Sequence, residues 1–254
     1  MKSFRIIPRL DIKQGCLIKG VQMEGWRKVG DPQSFAKRYY ETGADEILLI
    51  DVVASLYGRN SLHELIEKVC SDIFIPVTVG GGIRTTNDAY SVFACGADKI
   101  SLNTAAIANP EFITELAKTF GSQAVVISVT VGIVNGAYQV LTDNGRNLTN
   151  LDPITWVKQA ETLGAGEVLL SNIVSDGTGK GFDLELIKNV CDAVSIPVVT
   201  GGGFGENAHM QDLTAQTDVS GMTVAQALHW DKTTIPDIKS CSVHEDIFIR
   251  SSSS

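Results

Sequence analysis

Three consecutive glycines occur twice in the sequence, each time directly after an apolar run. The first copy is IPVTVGGGI at 75–83 and the second is IPVVTGGGF at 196–204. Because glycine has no side chain, the N–H groups of such a turn can approach an anion closely, and a following helix adds partial positive charge. The two triplets therefore predict two phosphate-binding sites, although each could also be an ordinary tight turn.

A single carboxylate, Asp11, ends the first apolar run of the chain, FRIIPRLDI at 4–12. At the end of a strand it could act as a general acid or base, or it could cap its own loop. A second polar stretch, DGTGKG at 176–181, has the composition of a loop that contacts or closes over a substrate, and equally that of a plain turn.

The elements that must position these residues form an internal repeat. Gly201 begins the second triplet, 121 residues after Gly80, and the segment 164–172 repeats 43–51 at the same distance. Apolar runs alternate with helical patterns throughout, which predicts a parallel sheet. The sequence thus predicts an α/β fold, a single (β/α)8 TIM barrel over residues 1–254, with half-barrels at about 1–120 and 121–240 and a tail at 241–254. An open doubly wound sheet is the alternative.

Helix and hairpin signals fix several boundaries. Asp31 with Pro32 and Ser61 mark helix starts, and Thr104 should lie in a loop that leaves the fourth strand before a helix beginning at Pro110. The pair Asn135-Gly136 predicts a hairpin after the fifth strand.

The reacting groups of such a barrel lie at the carboxyl ends of its strands and in the loops that follow. This rule selects small and polar residues, namely Asp11, Asp51, Gly80 to Gly82, Asn103, Thr104, Thr130, Asp176, Gly177, Thr178, Gly201 to Gly203 and Ala225. A two-fold barrel would place both glycine turns on one mouth, where an elongated bisphosphorylated ligand could bridge them.

Composition excludes several function classes. A net charge of −8 argues against a nucleic-acid surface. The five cysteines lack CxxC spacing and the four histidines share no metal-ligand spacing, so we expect reduced thiols, no metal and no cofactor. No signal peptide and no run of about 18 apolar residues is present, which favours a cytoplasmic protein without a membrane partner.

Five motifs carry a resemblance to a known family. They are LDIK at 10–13, TVGGGI at 78–83, ADKISLNTAA at 97–106, FGSQAVV at 120–126 and DGT at 176–178. With these motifs the chain, up to about Trp230, resembles the cyclase subunit of imidazole glycerol phosphate synthase, in its ordinary form or as a divergent paralogue.

The resemblance implies a lyase of histidine biosynthesis. Such a subunit combines ammonia with a bisphosphorylated ribulosyl-formimino aminoimidazole carboxamide ribonucleotide and closes the ring of imidazole glycerol phosphate. The ammonia comes from a glutaminase that docks, as a heterodimer, on the amino-terminal face of the barrel. A phosphorylated small molecule and a glutaminase are therefore the expected partners.

The resemblance also assigns roles to residues of this sequence. The catalytic positions are Asp11 and 130, where the family has a second aspartate and this chain has Thr130. The substrate and phosphate contacts fall on Gly82, Asn103, Thr104, Asp176, Gly177, Gly202, Gly203, Ala225 and Gln226. The family's ring around the ammonia entrance falls on Arg5, Glu46, Lys99 and Glu167, which could instead be a structural plug.

Four departures from the family lie at the mouth. Besides Thr130, they are Arg9 for a cysteine, Val174 for an acidic residue and Gln226 for a small polar residue. Threonine does not exchange a proton near neutral pH, so chemistry with two carboxylates would be lost. Two alternatives follow: an ammonia-conduit paralogue that supports amidation of a surface-polysaccharide sugar, and a non-catalytic phosphate-binding activator of a glutaminase.

Overall fold

Eight parallel strands close on one another in a computed structural model that describes residues 2–54, 62–241 and 247–250. The barrel strands are β1 (Lys2–Lys13), β2 (Ile47–Asp51), β3 (Val77–Gly80), β4 (Lys99–Leu102), β5 (Val125–Val134), β6 (Glu167–Asn172), β7 (Val198–Gly201) and β8 (Gly221–Val224). Each strand pairs in parallel with the next, and β1 pairs with both β2 and β8. The predicted (β/α)8 barrel is confirmed, and the open doubly wound sheet is wrong.

Helices connect successive strands on the outside. They are α1 (Pro32–Glu41), α2 (His63–Asp72), α3 (Thr86–Ala94), α4 (Thr104–Ala108), α5 (Glu111–Phe120), α6 (Pro153–Thr162), α7 (Leu184–Ala193), α8 (Asn207–Gln216), α9 (Gln226–His229) and α10 (Ile235–Lys239). Asp31 caps α1 as predicted, accepting from the Ser34 N–H at 2.8 Å. The loop expected at Thr104 is wrong, because a short helix begins there; Ser61 lies outside the described residues.

Two antiparallel extensions rise from the carboxyl ends of strands. After β1, the strands Cys16–Val21 and Glu24–Gly30 form a ribbon. The end of β5 continues into a hairpin with Ala137–Thr142, and its turn residues Asn135 and Gly136 have φ of 50° and 81°. These positive φ values fit the predicted Asn-Gly turn. Both extensions therefore stand over the mouth of the barrel.

The hydrophobic core has two layers. A large cluster fills the space between the sheet and the helices, and Trp156 and Tyr39 are buried in it. A smaller cluster fills the barrel itself and consists of Ile7, Leu48, Val126, Leu169 and Val199. The barrel is thus packed along its axis, as parallel barrels of this size are.

The carboxyl end of the chain adds one short strand. Ile247–Ile249 pairs in parallel with the start of β1. Residues 242–246 and 251–254 of the expected tail lie outside the described part, and the division into one domain with two halves remains a prediction. No helix in the described ranges is long and apolar enough to cross a bilayer.

Substitution of one buried and one exposed leucine tests which residues form the stabilising core. Leu116 of α5 is fully buried, whereas Leu148 is 57% exposed. We expect Leu116→Ala to lower the free energy of unfolding by about 2–5 kcal/mol, because it leaves a cavity in the core. The matched control Leu148→Ala should change it by about 0.5 kcal/mol or less. Equal losses in urea titrations of the two variants would contradict this assignment of the core.

Candidate functional site

Two cavities open side by side at the carboxyl ends of the strands. The first has a volume of about 370 Å³, and its wall includes the first glycine turn. Six residues of the predicted site lie around it, namely Asp51, Gly81, Gly82, Asn103, Thr104 and Thr130. The second cavity has a volume of only about 20 Å³. Six more predicted residues surround it, namely Asp176, Gly177, Gly202, Gly203, Ala225 and Gln226.

Glycine is required in both turns. Gly81 has a φ of 93°, and a Cβ atom there would lie 2.2 Å from the carbonyl oxygen of Asp51. Gly203 has a φ of 131°, and its Cβ would lie 2.1 Å from the carbonyl oxygen of Gly181. Any side chain would thus be strained and would collide with backbone. The two turns lie on one rim, but they face separate cavities rather than the shared one that the repeat predicts.

Arg9 stands between the two cavities and contributes to the wall of each. Its Nε donates to Asp11 Oδ1 at 2.8 Å, and its Nη1 donates to the Ser171 hydroxyl at 3.2 Å. The side chain reaches across the barrel from β1 to β6. A residue noticed in the sequence only as a departure therefore occupies the middle of the mouth.

Lys19 extends the charged cluster from the ribbon. Its Nζ lies 3.0 and 2.9 Å from the two oxygens of Asp176 and 3.8 Å from Asp11 Oδ2. The backbone N–H of Gln22 also donates to the Asp176 carbonyl at 2.8 Å. These contacts hold the ribbon against the loop after β6. The cluster Arg9, Asp11, Lys19 and Asp176, called here the mouth cluster, is buried throughout.

The environment of Asp11 keeps it ionised. Burial alone would raise its pKa, but the charges of Arg9 and then Lys19, with the Arg9 hydrogen bond, outweigh burial and hold the pKa below its usual value. Asp11 is therefore a carboxylate at neutral pH and a poor proton donor. Neither cavity wall includes Asp11, whereas its partner Arg9 lines both cavities and Lys19 lines the second.

Position 130 supplies a hydroxyl in place of a carboxylate. Thr130 is buried and lies in the wall of the first cavity, opposite Ser171 in the β5–β6 register. Two other carboxylates reach this cavity, but Asp51 accepts from the Val53 N–H at 3.0 Å, and Asp143 accepts from the Asn147 amide. The arrangement thus has no carboxylate at position 130, and the second carboxylate of the mouth cluster, Asp176, shares the Lys19 ammonium with Asp11.

His229 is a neighbour of this cluster that the sequence did not reveal. It is buried, and its Nδ1 lies 2.7 Å from the Tyr39 hydroxyl, with the two rings stacked. Burial lowers the pKa of His229 to about 4, although the nearby Asp11 charge opposes that shift. A neutral histidine thus lies close enough to Asp11 to feel its charge. Within the described ranges no three His, Cys, Asp or Glu side chains lie together as a metal ion would require.

The opposite, amino-terminal end of the barrel carries a closed ring of charges. Arg5 donates to Glu46 at 2.9 Å and also to Glu167, and Lys99 lies 2.9 Å from each of the same two carboxylates. All four predicted ring residues therefore meet. Burial would raise the pKa of Glu167, but Arg5 and Lys99 hold it below the usual value.

A small interior cavity lies between the ring and the mouth. Its volume is about 10 Å³, and it is bounded by Glu46 and Glu167 below and by aliphatic side chains of the barrel interior. Thr223, on β8, lines both this cavity and the second cavity of the mouth. The interior space therefore reaches toward the second glycine turn.

Comparisons with known proteins agree with this geometry. Residues 5–234 match a protein family described as histidine biosynthesis protein. One relative, the imidazole glycerol phosphate synthase subunit HisF of Legionella pneumophila, is 52% identical over 207 residues, which cover 81% of this chain and 98% of that relative. The similarity thus extends over most of the barrel.

The buried histidine makes a prediction about pH. Because the pKa of His229 is about 4 when folded and about 6.5 when unfolded, the unfolded chain takes up the proton first as pH falls. Stability should therefore decline from about pH 6.5 to about pH 4. At about pH 5 the histidine should cost about 2 kcal/mol relative to neutral pH.

Urea unfolding at about pH 7 and about pH 5 measures this loss. His229→Asn keeps a polar group near Tyr39 but removes the titrating imidazole. The loss of stability of this variant between about pH 7 and about pH 5 should therefore be smaller than that of the wild type by about 2 kcal/mol. An unchanged pH dependence in the variant would show that His229 does not titrate in this way.

Proposed function

This chain belongs to the histidine biosynthesis protein family, and from that membership we propose that it is a cyclase subunit that uses ammonia. Its substrate is the bisphosphorylated ribulosyl-formimino aminoimidazole carboxamide ribonucleotide, and its product is imidazole glycerol phosphate. A glutaminase docked on the amino-terminal face supplies the ammonia. The protein acts with that glutaminase as a heterodimer.

The observation that carries the proposal is the pair of glycine-walled cavities on one rim. Two turns in which glycine is required line the two cavities of the mouth, and their backbone N–H groups are the proposed phosphate donors. One phosphate would lie against Gly82 and Thr104, and the other against Gly203 and Gln226. Since small phosphorylated ligands need such donors rather than a basic surface, a net charge of −8 is compatible with this binding.

Asp11 is the proposed proton acceptor. Ammonia that adds to an electrophilic carbon must lose protons before the ring is complete, and a carboxylate that stays ionised at neutral pH can receive one. Arg9 bonds Oδ1, whereas Lys19 stays 3.8 Å from Oδ2, beyond hydrogen-bond length. Oδ2 is therefore the oxygen left for proton transfer.

The charged ring is the proposed entrance for ammonia. Arg5, Glu46, Lys99 and Glu167 close the amino-terminal end, and the interior cavity begins directly above the two glutamates. Opening one of its ion pairs would admit a small molecule to the barrel axis. The same ion pairs could instead serve only to stabilise the closed end of the barrel. Variants of the ring must therefore distinguish an entrance from a structural plug.

One feature favours a second candidate, the ammonia-conduit paralogue that supports amidation of a surface-polysaccharide sugar. Thr130 leaves Asp11 without a second carboxylate at that position, and Arg9 ties Asp11 into an ion pair. A barrel that only passes ammonia to another enzyme would not need the second carboxylate. It would keep the charged ring and would still stimulate the glutaminase.

Ring closure with added ammonium salt tests the cyclase directly. The wild-type protein should form imidazole glycerol phosphate without a glutaminase, and Asp11→Asn should lower that rate by about 100-fold or more, because it removes the proton acceptor. Thermal unfolding of the variant checks that the loss is not one of folding.

Wild-type protein that stimulates the glutaminase but closes no ring would contradict the cyclase. Thr130→Asp then separates the remaining possibilities, because a gain of ring closure would identify that position as the cause of divergence. No gain would favour the conduit or the non-catalytic activator.

Lys99→Met tests the ring as an entrance. Because Lys99 bonds both glutamates, its loss should lower the free energy of unfolding by about 2 kcal/mol, between values typical of exposed and buried ion pairs. If the ring controls entry, the glutamine-dependent rate should change severalfold relative to the ammonium-dependent rate. The exposed Lys188→Met is the control, and an unchanged ratio with lower stability would identify a plug.

A further inference from the structure

The central arginine suggests a ligand contact that the two glycine turns do not explain. We infer that Arg9 is a substrate-binding residue whose free Nη2 group holds an acceptor oxygen, of the carbonyl class, in the middle of a phosphorylated open-chain sugar. The inference rests on the proposed function only in taking the ligand to be phosphorylated. Beyond the proposed function, it specifies the chemical group, a carbonyl oxygen, that the ligand carries between its phosphates.

The first argument is position. Of the residues described around the mouth, Arg9 alone contributes to both cavities. A ligand that reaches from Gly82 to Gly203 must therefore pass this guanidinium. A shorter ligand in the first cavity alone would also end against it.

The second argument is hydrogen-bonding capacity. The guanidinium carries five N–H donors in a rigid plane. Nε donates to Asp11 and Nη1 to Ser171, and these contacts fix the plane of the group. Nη2 has no hydrogen-bond partner in the described part of the chain. Its two N–H donors and the second N–H of Nη1 therefore remain for a ligand.

The third argument is the surrounding polarity. Ser101 and Thr130 bring hydroxyls to the same cavity, and the buried Ser101 Oγ has no partner in the described structure. The mouth cluster holds two cations and two carboxylates, so its formal charge is zero. A charge cluster that is neutral as a whole, with unused donors beside it, suits an uncharged oxygen better than a third anionic group.

The alternative is that Arg9 only holds Asp11. Three probes distinguish the two roles by isothermal titration: inorganic phosphate, ribulose 5-phosphate and ribitol 5-phosphate. The last two differ in one carbonyl group. If Nη2 holds that oxygen, the wild type should prefer the ketose to the alditol, and Arg9→Met should raise the Kd of the ketose by about 10-fold or more.

The same variant should lose its preference for the ketose over the alditol. Its affinity for inorganic phosphate should fall less than its affinity for the ketose, because the glycine turns are intact. Arg9→Lys, which keeps the charge but loses the fork of donors, should recover only part of the ketose affinity. The double variant R9M/D11N removes both members of the ion pair, so it shows the effect of Arg9 without an unpaired carboxylate.

Each outcome decides between these readings. An undiminished ketose preference in both Arg9→Met and the double variant would overturn this inference and leave the phosphate sites standing. Loss of the ketose preference in Arg9→Met and in the double variant would support the inference. A wild-type protein that binds neither inorganic phosphate nor the sugar phosphates would overturn the proposed function, and this inference with it.

Discussion

Closure of the parallel sheet is the constraint on which the site depends. Because β1 pairs with both β2 and β8, no strand edge is left open among the eight, and every strand points the same way. All carboxyl ends therefore meet on one rim. This geometry brings Arg9 within hydrogen-bond distance of Ser171, although 162 residues separate them in the chain.

Electrostatic pairing organises both ends of the barrel in the same way. The amino-terminal ring and the mouth cluster each contain two cations and two carboxylates. Each group would cost much free energy if it were buried alone, and mutual pairing offsets that cost. The ring uses residues at strand starts, whereas the mouth cluster draws on strand ends, the ribbon and a loop.

Local signals made the fold and much of the site predictable. The glycine triplets, the Asp31 cap and the Asn-Gly turn act through neighbouring residues, so their patterns are legible in the sequence. Lys19 and His229 gave no such signal, because their partners come from distant segments. The separation of the mouth into two cavities could not be predicted either. It depends on the direction of the Arg9 side chain, which is set by Ser171 across the barrel.

The aliphatic layer inside the barrel disfavours charge on the barrel axis. Ile7, Leu48, Val126, Leu169 and Val199 leave an interior volume of about 10 Å³, which is about the space of one water molecule. An ammonium ion would lose its hydration shell there at a cost of several kcal/mol, whereas uncharged ammonia would lose far less. In the proposed route for ammonia, nitrogen would therefore cross this layer as the free base rather than as the ammonium ion.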